Sequence, residues 1–342
     1  MSRVVLAVGW LCLGAAMVAV PVWLGWTRWS VILSGHPLTL TVTILCAMAG
    51  VVAVAWAIAT LLVGDRYDME ITPGQPGYRT PAQIRRRAEW RIGLAVPALV
   101  ICLATVSVLA WSRPFAATDI AIAATRSGDN VRVSDRFTWF EMQSVREDSL
   151  GREIKPRAGL IFYPGARVDS RAYAHLFKPL ANAGYLVVVL KSPFGIALAD
   201  VDKAQSVLDV HPEIATWAVG GHSLGGVAAS SFADDNPARV KGLLLYASYP
   251  SSAMTRTDLK VLSLSGTNDG LATPADIEKS KPDLPPSTRY VAIKGGVHSF
   301  FGDYGDQPGD GTPTVSRAVA QTQIVKFTQA FLVSITPVPK KK

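Results

Sequence analysis

The clearest motif in this chain of 342 residues lies in residues 216–233, which read TWAVGGHSLGGVAASSFA. Its centre has the pattern G-x-S-x-G, formed by Gly221, Ser223 and Gly225. The apolar run Thr216–Val219 before it has the length of a strand, and Val227–Ala233 after it favours a helix. A sharp turn between strand and helix exposes a nucleophilic serine, and glycines at its flanks leave room for the strained backbone. We therefore predict Ser223 as a nucleophile, against the alternative of a purely structural turn.

Apolar runs of strand length alternate with helical segments on both sides of this motif. We predict strands at Gly159–Tyr163, Tyr185–Leu190, Val240–Ala247, Lys260–Leu264 and Arg289–Ile293. Arg132–Val145 predicts one or two more strands, and Tyr173–Ala183 and Ser316–Val333 predict helices. This alternation favours an α/β fold with a mostly parallel, doubly wound sheet, covered by helices on both faces. Residues 114–342 are long enough for one such domain.

A nucleophilic serine requires a base, and His298 is the candidate. It lies downstream of Ser223 and shortly after the predicted strand Arg289–Ile293, in the loop GGVHS. The other four histidines all precede the serine: His36 lies in the apolar first third of the chain, and His175, His211 and His222 lie between it and Ser223. The His222 ring is expected to point away from the serine hydroxyl, because it adjoins Ser223 within the turn.

The acid that would orient His298 is predicted to be Asp269. It follows the predicted strand Lys260–Leu264, at the strand end where open α/β sheets build their sites. Asp276 and Asp258 are alternatives, although the first falls on a predicted helix and the second precedes the strand. Another possibility is that Asp269 only caps the helix that follows Pro274.

Two backbone N–H groups are predicted to form an oxyanion hole. One is that of Leu224, the residue after the nucleophile, at the start of the predicted helix. The other comes from the loop after Gly159–Tyr163, where Ala166 is the first candidate and Gly165 and Arg167 are alternatives. Small residues in this loop allow the backbone to approach a bound carbonyl group.

The order Ser223, Asp269, His298, together with the strand pattern, resembles the α/β-hydrolase superfamily over roughly Arg132 to Val333. Within it the sequence is most similar to bacterial dienelactone-hydrolase-like members. Residues 298–311, HSFFGDYGDQPGDG, resemble a signature of an actinobacterial-type subgroup. The resemblance implies the α/β-hydrolase fold and the triad, and little about the substrate. Ser223 stands where true dienelactone hydrolases have cysteine, so their substrate does not carry over.

No cofactor and no metal site are predicted from the sequence. The acidic residues of the loop Asp303, Asp306 and Asp310 lack the regular spacing and the closing glutamate of a calcium-binding EF-hand. We expect this loop to form an ordered rim of the active site. The three cysteines, Cys12, Cys46 and Cys102, all precede the predicted α/β domain, which therefore contains neither a disulfide nor a cysteine nucleophile.

The first third of the chain is predicted to be a membrane region, residues 1–113, with three spans. Hydrophobic residues make up 49% and charged residues 18% of the whole chain, and its mean hydropathy is +0.25. Spans are predicted at about 4–27, 38–63 and 92–112, since none contains Asp, Glu, Lys or Arg and a membrane helix needs about 20 apolar residues. A cleaved signal peptide is the alternative for the first span, but the apolar core of this span is longer than that of an ordinary signal peptide.

Arginines in the loop 64–91 predict which side of the membrane each part of the chain faces. The loop contains Arg66, Arg79, Arg85, Arg86, Arg87 and Arg91, whereas the short loop around Ser30–Pro37 has neither lysine nor arginine. Positive charge stays on the cytoplasmic side, so residues 114–342 are expected outside the cytoplasm, as an extracytoplasmic domain. An interfacial helix at Ile84–Arg91 is the alternative for part of this loop.

These features together predict a multi-pass protein of the cell membrane that is a serine hydrolase acting on a carboxylic ester. The expected partners are a small-molecule or lipid ester substrate and the lipid bilayer. No nucleic acid is expected, because the net charge of +8 forms no continuous basic stripe. A serine acyltransferase of the cell envelope and a catalytically silent binding module are the alternatives. The oligomeric state stays open.

Overall fold

The computed structural model describes residues 3–63, 80–128, 130–147 and 149–337. Contacts within the chain divide it into two units. One comprises Met1–Ile32 and Leu38–Arg113, and the other comprises Leu33–Pro37 and Pro114–Lys342. This division does not depend on a membrane, so the membrane region 1–113 and the extracytoplasmic domain 114–342 stay predictions.

Long apolar helices make up the first unit. They are α1 (Arg3–Ser34), α2 (Pro37–Val63) and α3 (Pro81–Trp111). The end of α1 and the first residue of α2 fall in Leu33–Pro37 of the second unit. Within them Val4–Ser34, Pro37–Leu62 and Gly93–Trp111 are long and apolar enough to cross a membrane, with mean hydropathies of 2.3, 2.4 and 2.4. The prediction of three helices of spanning length is thus confirmed.

Two loops of the sequence analysis are shorter in the structure. Residues 30–34, predicted as part of a loop, continue α1 beyond a kink at Arg28, whose φ of −142° is not helical. Residues 81–91 belong to α3 rather than to the loop 64–91. The Thr80 hydroxyl accepts the N–H of Gln83 while the Gln83 side chain accepts the N–H of Thr80, a capping box that starts the helix at this point. Arg66 and Arg79 lie outside the described residues.

Small residues allow α1 and α2 to pack closely. A Cβ atom on Gly50 would lie 2.8 Å from the Gly14 carbonyl oxygen and 2.8 Å from Met17 Cβ. A Cβ atom on Gly14 would lie 3.0 Å from the Gly50 oxygen. Glycines at helix contacts let backbones approach, which is a common way for helices to associate within a lipid bilayer.

The second unit contains, in the described part of the chain, an eight-stranded sheet. Its strands are β1 (Val131–Asp135), β2 (Trp139–Ser144), β3 (Gly159–Tyr163), β4 (Leu186–Leu190), β5 (Trp217–His222), β6 (Val240–Tyr246), β7 (Lys260–Gly266) and β8 (Arg289–Ile293). Their order is β1-β2-β4-β3-β5-β6-β7-β8. Strand β2 runs antiparallel to its neighbours β1 and β4, and the remaining pairs are parallel. The mostly parallel sheet is as predicted.

Helices cover both faces of this sheet. They are α4 (Asp119–Ala124), α5 (Ala174–Asn182), α6 (Lys203–Val210), α7 (Leu224–Asp235), α8 (Pro274–Lys279) and α9 (Arg317–Ile335). Side chains alternate along β3, so Leu160 and Phe162 join the apolar cluster beneath α5 and α9, whereas Ile161 and Tyr163 join the cluster beneath α6 and α7. Both faces of the central strands are therefore buried, which explains their continuous apolar sequences.

A group of charged side chains around the buried Glu141 ties β2 to the loop before β5. His211 contacts Glu141 through Nε2 at 3.2 Å and Glu213 through Nδ1 at 3.1 Å. Burial alone would raise the pKa of Glu141, but hydrogen bonds from His211, Arg136 and Trp139 lower it to about 2. The hydrogen bond to Glu141 raises the pKa of His211 despite its partial burial, and the contact with Glu213 adds to this.

We expect His211→Gln to lower the melting temperature more near pH 5.5 than near pH 9. The folded-state pKa of His211 lies above its unfolded value, so its stabilisation is complete below about pH 6.5 and is lost as pH rises through the folded value. A contribution of about 1 kcal/mol corresponds to about 2–4 °C in a domain of this size. Thermal unfolding of the full-length protein in detergent measures this. An equal decrease at both pH values would contradict the prediction.

Candidate active site

Ser223 occupies a strained turn between β5 and α7. Its backbone has φ +53° and ψ −125°, a conformation that residues other than glycine rarely adopt. Its N–H donates to the Tyr246 carbonyl oxygen at 2.9 Å, and its own carbonyl oxygen accepts the Ser248 hydroxyl at 2.6 Å. These two bonds hold the turn, and the side chain is half-buried at its tip.

The glycines of the motif are required by close backbone contacts. A Cβ atom on Gly221 would lie 2.2 Å from the Gly225 carbonyl group. A Cβ atom on Gly225 would lie 2.3 Å from the Tyr163 carbonyl oxygen, and one on Gly165 would lie 2.7 Å from His222 Nδ1. The loop after β3 therefore packs directly against the turn that carries Ser223.

The structure brings Asp269 and His298 into contact. His298 Nδ1 lies 2.9 Å from Asp269 Oδ2 and 3.2 Å from Oδ1, and both residues are buried. Asp269 Oδ1 also accepts the N–H groups of Leu271 and Ala272, each at 2.8 Å. These bonds fix the carboxylate so that it accepts the Nδ1 proton of the imidazole, which leaves Nε2 as the nitrogen available for chemistry.

The alternative acids have other partners. Asp276 forms a capping box with Thr273 at the start of α8, and Asp258 pairs with Arg256 at 2.8 Å. Since Thr273 caps α8, Asp269 does not serve as the cap of that helix. The sequence offered three carboxylates as the partner of His298, and in the structure Asp269 is the one of the three that contacts it.

Ser223 and His298 are not hydrogen-bonded to each other. Among the described residues, the buried Nε2 of His298 has no hydrogen-bond partner. Bonds between a nucleophile and its base are often long without substrate and close when substrate binds. The roles of Ser223, His298 and Asp269 in catalysis stay predictions.

Backbone N–H groups near Ser223 fit the predicted oxyanion hole. The N–H of Leu224 lies at the first position of α7, where a helix provides no acceptor. In the loop after β3, the N–H of Gly165 donates to Tyr173 Oη at 2.9 Å, and that of Arg167 donates to the Gly195 oxygen at 2.8 Å. The N–H groups of both alternatives, Gly165 and Arg167, therefore already have acceptors, and Ala166 stays the predicted donor of this loop.

His222 packs between Tyr173 and His298, and the expectation that its ring points away from the serine hydroxyl stays a prediction. Its Nδ1 lies 2.9 Å from Tyr173 Oη, and its ring centroid lies 4.6 Å from that of His298. Burial and the nearby His298 hold the pKa of His222 well below its ordinary value. Tyr173 Oη accepts the Gly165 N–H, so its own hydroxyl proton is available to Nδ1 of the neutral His222 ring.

Asp310 supports the His298 loop, a role that the sequence analysis did not predict. Its Oδ1 accepts the His298 N–H at 3.0 Å, and its Oδ2 accepts the Ser299 N–H at 2.8 Å. Arg317 donates to the carbonyl oxygens of Gly302 at 2.5 Å and Gly305 at 3.0 Å. The position of Asp310 between Gly309 and Gly311 was the available signal, since flanking glycines allow a carboxylate to approach neighbouring backbone.

The acidic loop uses its carboxylates within the protein. Asp303 contacts His175 Nδ1 at 3.2 Å and accepts the Gln321 side-chain amide at 2.9 Å. Within the described ranges, no group of three or more His, Cys, Asp or Glu residues is arranged to hold a metal ion. Asp303 and Asp310 thus order the segment that carries His298.

Comparisons with known proteins identify a family model and solved structures that are similar to this chain. A model of the alpha/beta hydrolase family matches residues 159–322, which contain Ser223, Asp269 and His298. A predicted CIB-like hydrolase from Thermoplasma acidophilum has 18% identity and a TM-score of 0.44, over 60% of this chain and 100% of its own. TT1662 from Thermus thermophilus has 15% identity and a TM-score of 0.44, over 61% and 100%. No curated protein matches the chain. The family match and the sheet order confirm the predicted α/β-hydrolase fold.

We expect Asp310→Asn to slow modification of Ser223 by a fluorophosphonate probe roughly 10-fold or more, because a displacement of about 1 Å in a catalytic group can cost 100-fold. The new amide group would face backbone N–H donors that need an acceptor. Probe labelling of the full-length protein gives the rate. Asp306→Asn is the matched control, since Asp306 is exposed on the same loop. Equal rates for both variants would contradict the role of Asp310.

Proposed function

We propose that this chain, whose second unit has the α/β-hydrolase fold, is a membrane-anchored serine hydrolase that cleaves a carboxylic ester or related acyl substrate. The observation that carries the proposal is the 2.9 Å hydrogen bond between His298 Nδ1 and Asp269. Ser223, held at φ +53° in the turn between β5 and α7, is the proposed nucleophile. A family match to α/β-hydrolases supports a hydrolase in general. The esterase activity and the Ser223–His298–Asp269 triad go beyond this family match and are proposed here.

In the first half-reaction, Ser223 Oγ attacks the acyl carbon while His298 Nε2 accepts the hydroxyl proton. Asp269 stabilises the resulting imidazolium and keeps its ring oriented, because Leu271 and Ala272 fix the carboxylate. The tetrahedral oxyanion accepts hydrogen bonds from the N–H groups of Leu224 and Ala166. His298 then donates its proton to the leaving alcohol, and the acyl group remains on Ser223.

In the second half-reaction, His298 removes a proton from water, which attacks the acyl carbon of the acyl-enzyme. The same oxyanion donors stabilise the second tetrahedral intermediate, and Ser223 leaves with the proton from His298. Loss of one oxyanion donor typically costs about 10²–10³ in kcat. A neutral His222 suits this cycle, since a permanent positive charge 4.6 Å from His298 would oppose formation of the imidazolium.

The three apolar helices support membrane anchoring. We propose that the apolar parts of α1, α2 and α3 span the cell membrane. The Arg-rich segment 64–91, which includes the first turns of α3, then lies in the cytoplasm, and residues 114–342 lie outside it. The bilayer is then one partner of the protein, and an ester present at its surface is a natural substrate. The similarity of residues 298–311 to the dienelactone-hydrolase-like, actinobacterial-type subgroup stays a prediction.

We expect Ser223→Ala to lower kcat/KM for short-chain p-nitrophenyl esters by roughly 10³-fold or more, because no other group can replace the nucleophile. Full-length protein in detergent is assayed beside Ser231→Ala, which changes an exposed serine on α7. Hydrolysis by Ser223→Ala at the wild-type rate would contradict the proposal. Acceptor alcohols added to the wild type test the alternative, since a transfer product exceeding free acid would identify an acyltransferase.

A further inference from the structure

The segment Pro114–Thr118, which follows α3, is bonded to the loop that carries the Ala166 N–H. The Phe115 N–H donates to the Arg167 carbonyl oxygen at 2.7 Å, and the Asp169 N–H donates to the Phe115 carbonyl oxygen at 3.0 Å. Phe115 thereby forms a parallel bridge with Val168. These two bonds pair Phe115 with the backbone of the loop on both sides of Val168.

Further bonds extend the contact along the segment. The Ala117 N–H donates to Asp169 Oδ2 at 3.3 Å, and Asp169 is buried and paired with Arg171 at 2.7 Å. The Thr118 N–H donates to the Asp303 carbonyl oxygen at 2.8 Å. The segment thus joins two loops. One is the loop after β3 that carries Ala166, here called the oxyanion loop, and the other is the loop after His298 that carries Asp303 and Asp310.

The Phe115 side chain packs on both loops. The Arg167 guanidinium lies over its ring at 4.9 Å, and the Tyr304 ring lies 5.9 Å away. Arg167 has φ +61°, a strained conformation for a non-glycine residue, which persists only where its surroundings hold it. Its N–H is held by Gly195 and its carbonyl oxygen by Phe115, so the two sides together fix the peptide next to Ala166.

We propose that Pro114–Thr118 positions the oxyanion loop, and that Phe115 is a positioning residue for catalysis rather than part of a plain tether. This inference rests on the proposed function of Ser223. The Ala166 N–H must lie where the oxyanion forms, and such a donor acts in the transition state and not in substrate binding. Displacement of the loop should therefore lower kcat and leave KM nearly unchanged.

The first test compares two Phe→Ala variants of the full-length protein in detergent. We expect Phe115→Ala to lower kcat for a p-nitrophenyl ester roughly 10-fold or more, since small displacements of catalytic groups are costly, with KM within about twofold. Phe137→Ala, at an 85% exposed residue of the β1–β2 turn, should match the wild type. Phe115→Tyr keeps the ring and should restore most of the activity.

The second test separates positioning from tethering. A short Gly-Ser spacer between Arg113 and Pro114 leaves the bonded segment intact and should not change kcat. The same spacer between Phe115 and Ala116 separates the bonds of Phe115 from those of Ala117 and Thr118, and kcat should fall. A plain tether would tolerate both insertions equally, and that result would overturn the inference. This pair also replaces Phe115→Ala if that variant does not fold.

Hydrogen exchange distinguishes failure of the inference from failure of the proposed function. Faster exchange of amides in residues 163–170 of Phe115→Ala, with the rest of the domain unchanged, supports positioning independently of any activity. Unchanged exchange in this loop overturns it. If Ser223→Ala abolishes hydrolysis while Phe115→Ala and Phe137→Ala are both fully active, the inference is wrong and the hydrolase function stands.

Discussion

The close approach of the loop after β3 to the turn at Ser223 is the contact on which the site depends. A Cβ atom on Gly225 would lie 2.3 Å from the Tyr163 carbonyl oxygen, and one on Gly165 would lie 2.7 Å from His222 Nδ1. The loop that carries Ala166 therefore packs directly on the turn in which Ser223 has its strained φ of +53°. In the proposed mechanism the N–H groups of Ala166 and Leu224 form the oxyanion donor pair, so that pair depends on this backbone contact.

The proposed acid and base, Asp269 and His298, lie on separate loops that meet at one end of the sheet. Asp269 follows β7 and His298 follows β8, so their hydrogen bond depends on the parallel register of these strands. Asp310 fixes the backbone of His298, and Phe115 and Tyr173 fix the loop of Ala166. Hydrogen bonds to backbone groups therefore hold both the His298 loop and the Ala166 loop. Such support suits a catalytic site, whose groups must keep their relative positions.

The sequence predicted the parts of this structure that local patterns encode. The strands Gly159–Tyr163 and Arg289–Ile293 have the predicted boundaries, and the turn at Ser223 lies between a strand and a helix as the glycines indicated. Contacts between distant residues could not be predicted in this way. Tyr173 contacts His222, which is 49 positions away in the sequence. Asp310 accepts the backbone N–H of His298, and since almost every residue has such an N–H, the sequence gives no signal for this bond. The loop boundaries at Ser34 and Pro81 differ because helix caps and kinks, not charge, set where those helices begin and end.

The central claim is an activated serine on the outer side of the membrane. Its most direct test is labelling with a membrane-impermeant fluorophosphonate probe, in intact and in lysed cells, for the wild type and for Ser223→Ala at equal expression. The account predicts labelling of the wild type in intact cells and none in the variant. Folded wild-type protein that stays unlabelled in both preparations would contradict the activated serine. Labelling only after lysis would contradict the orientation.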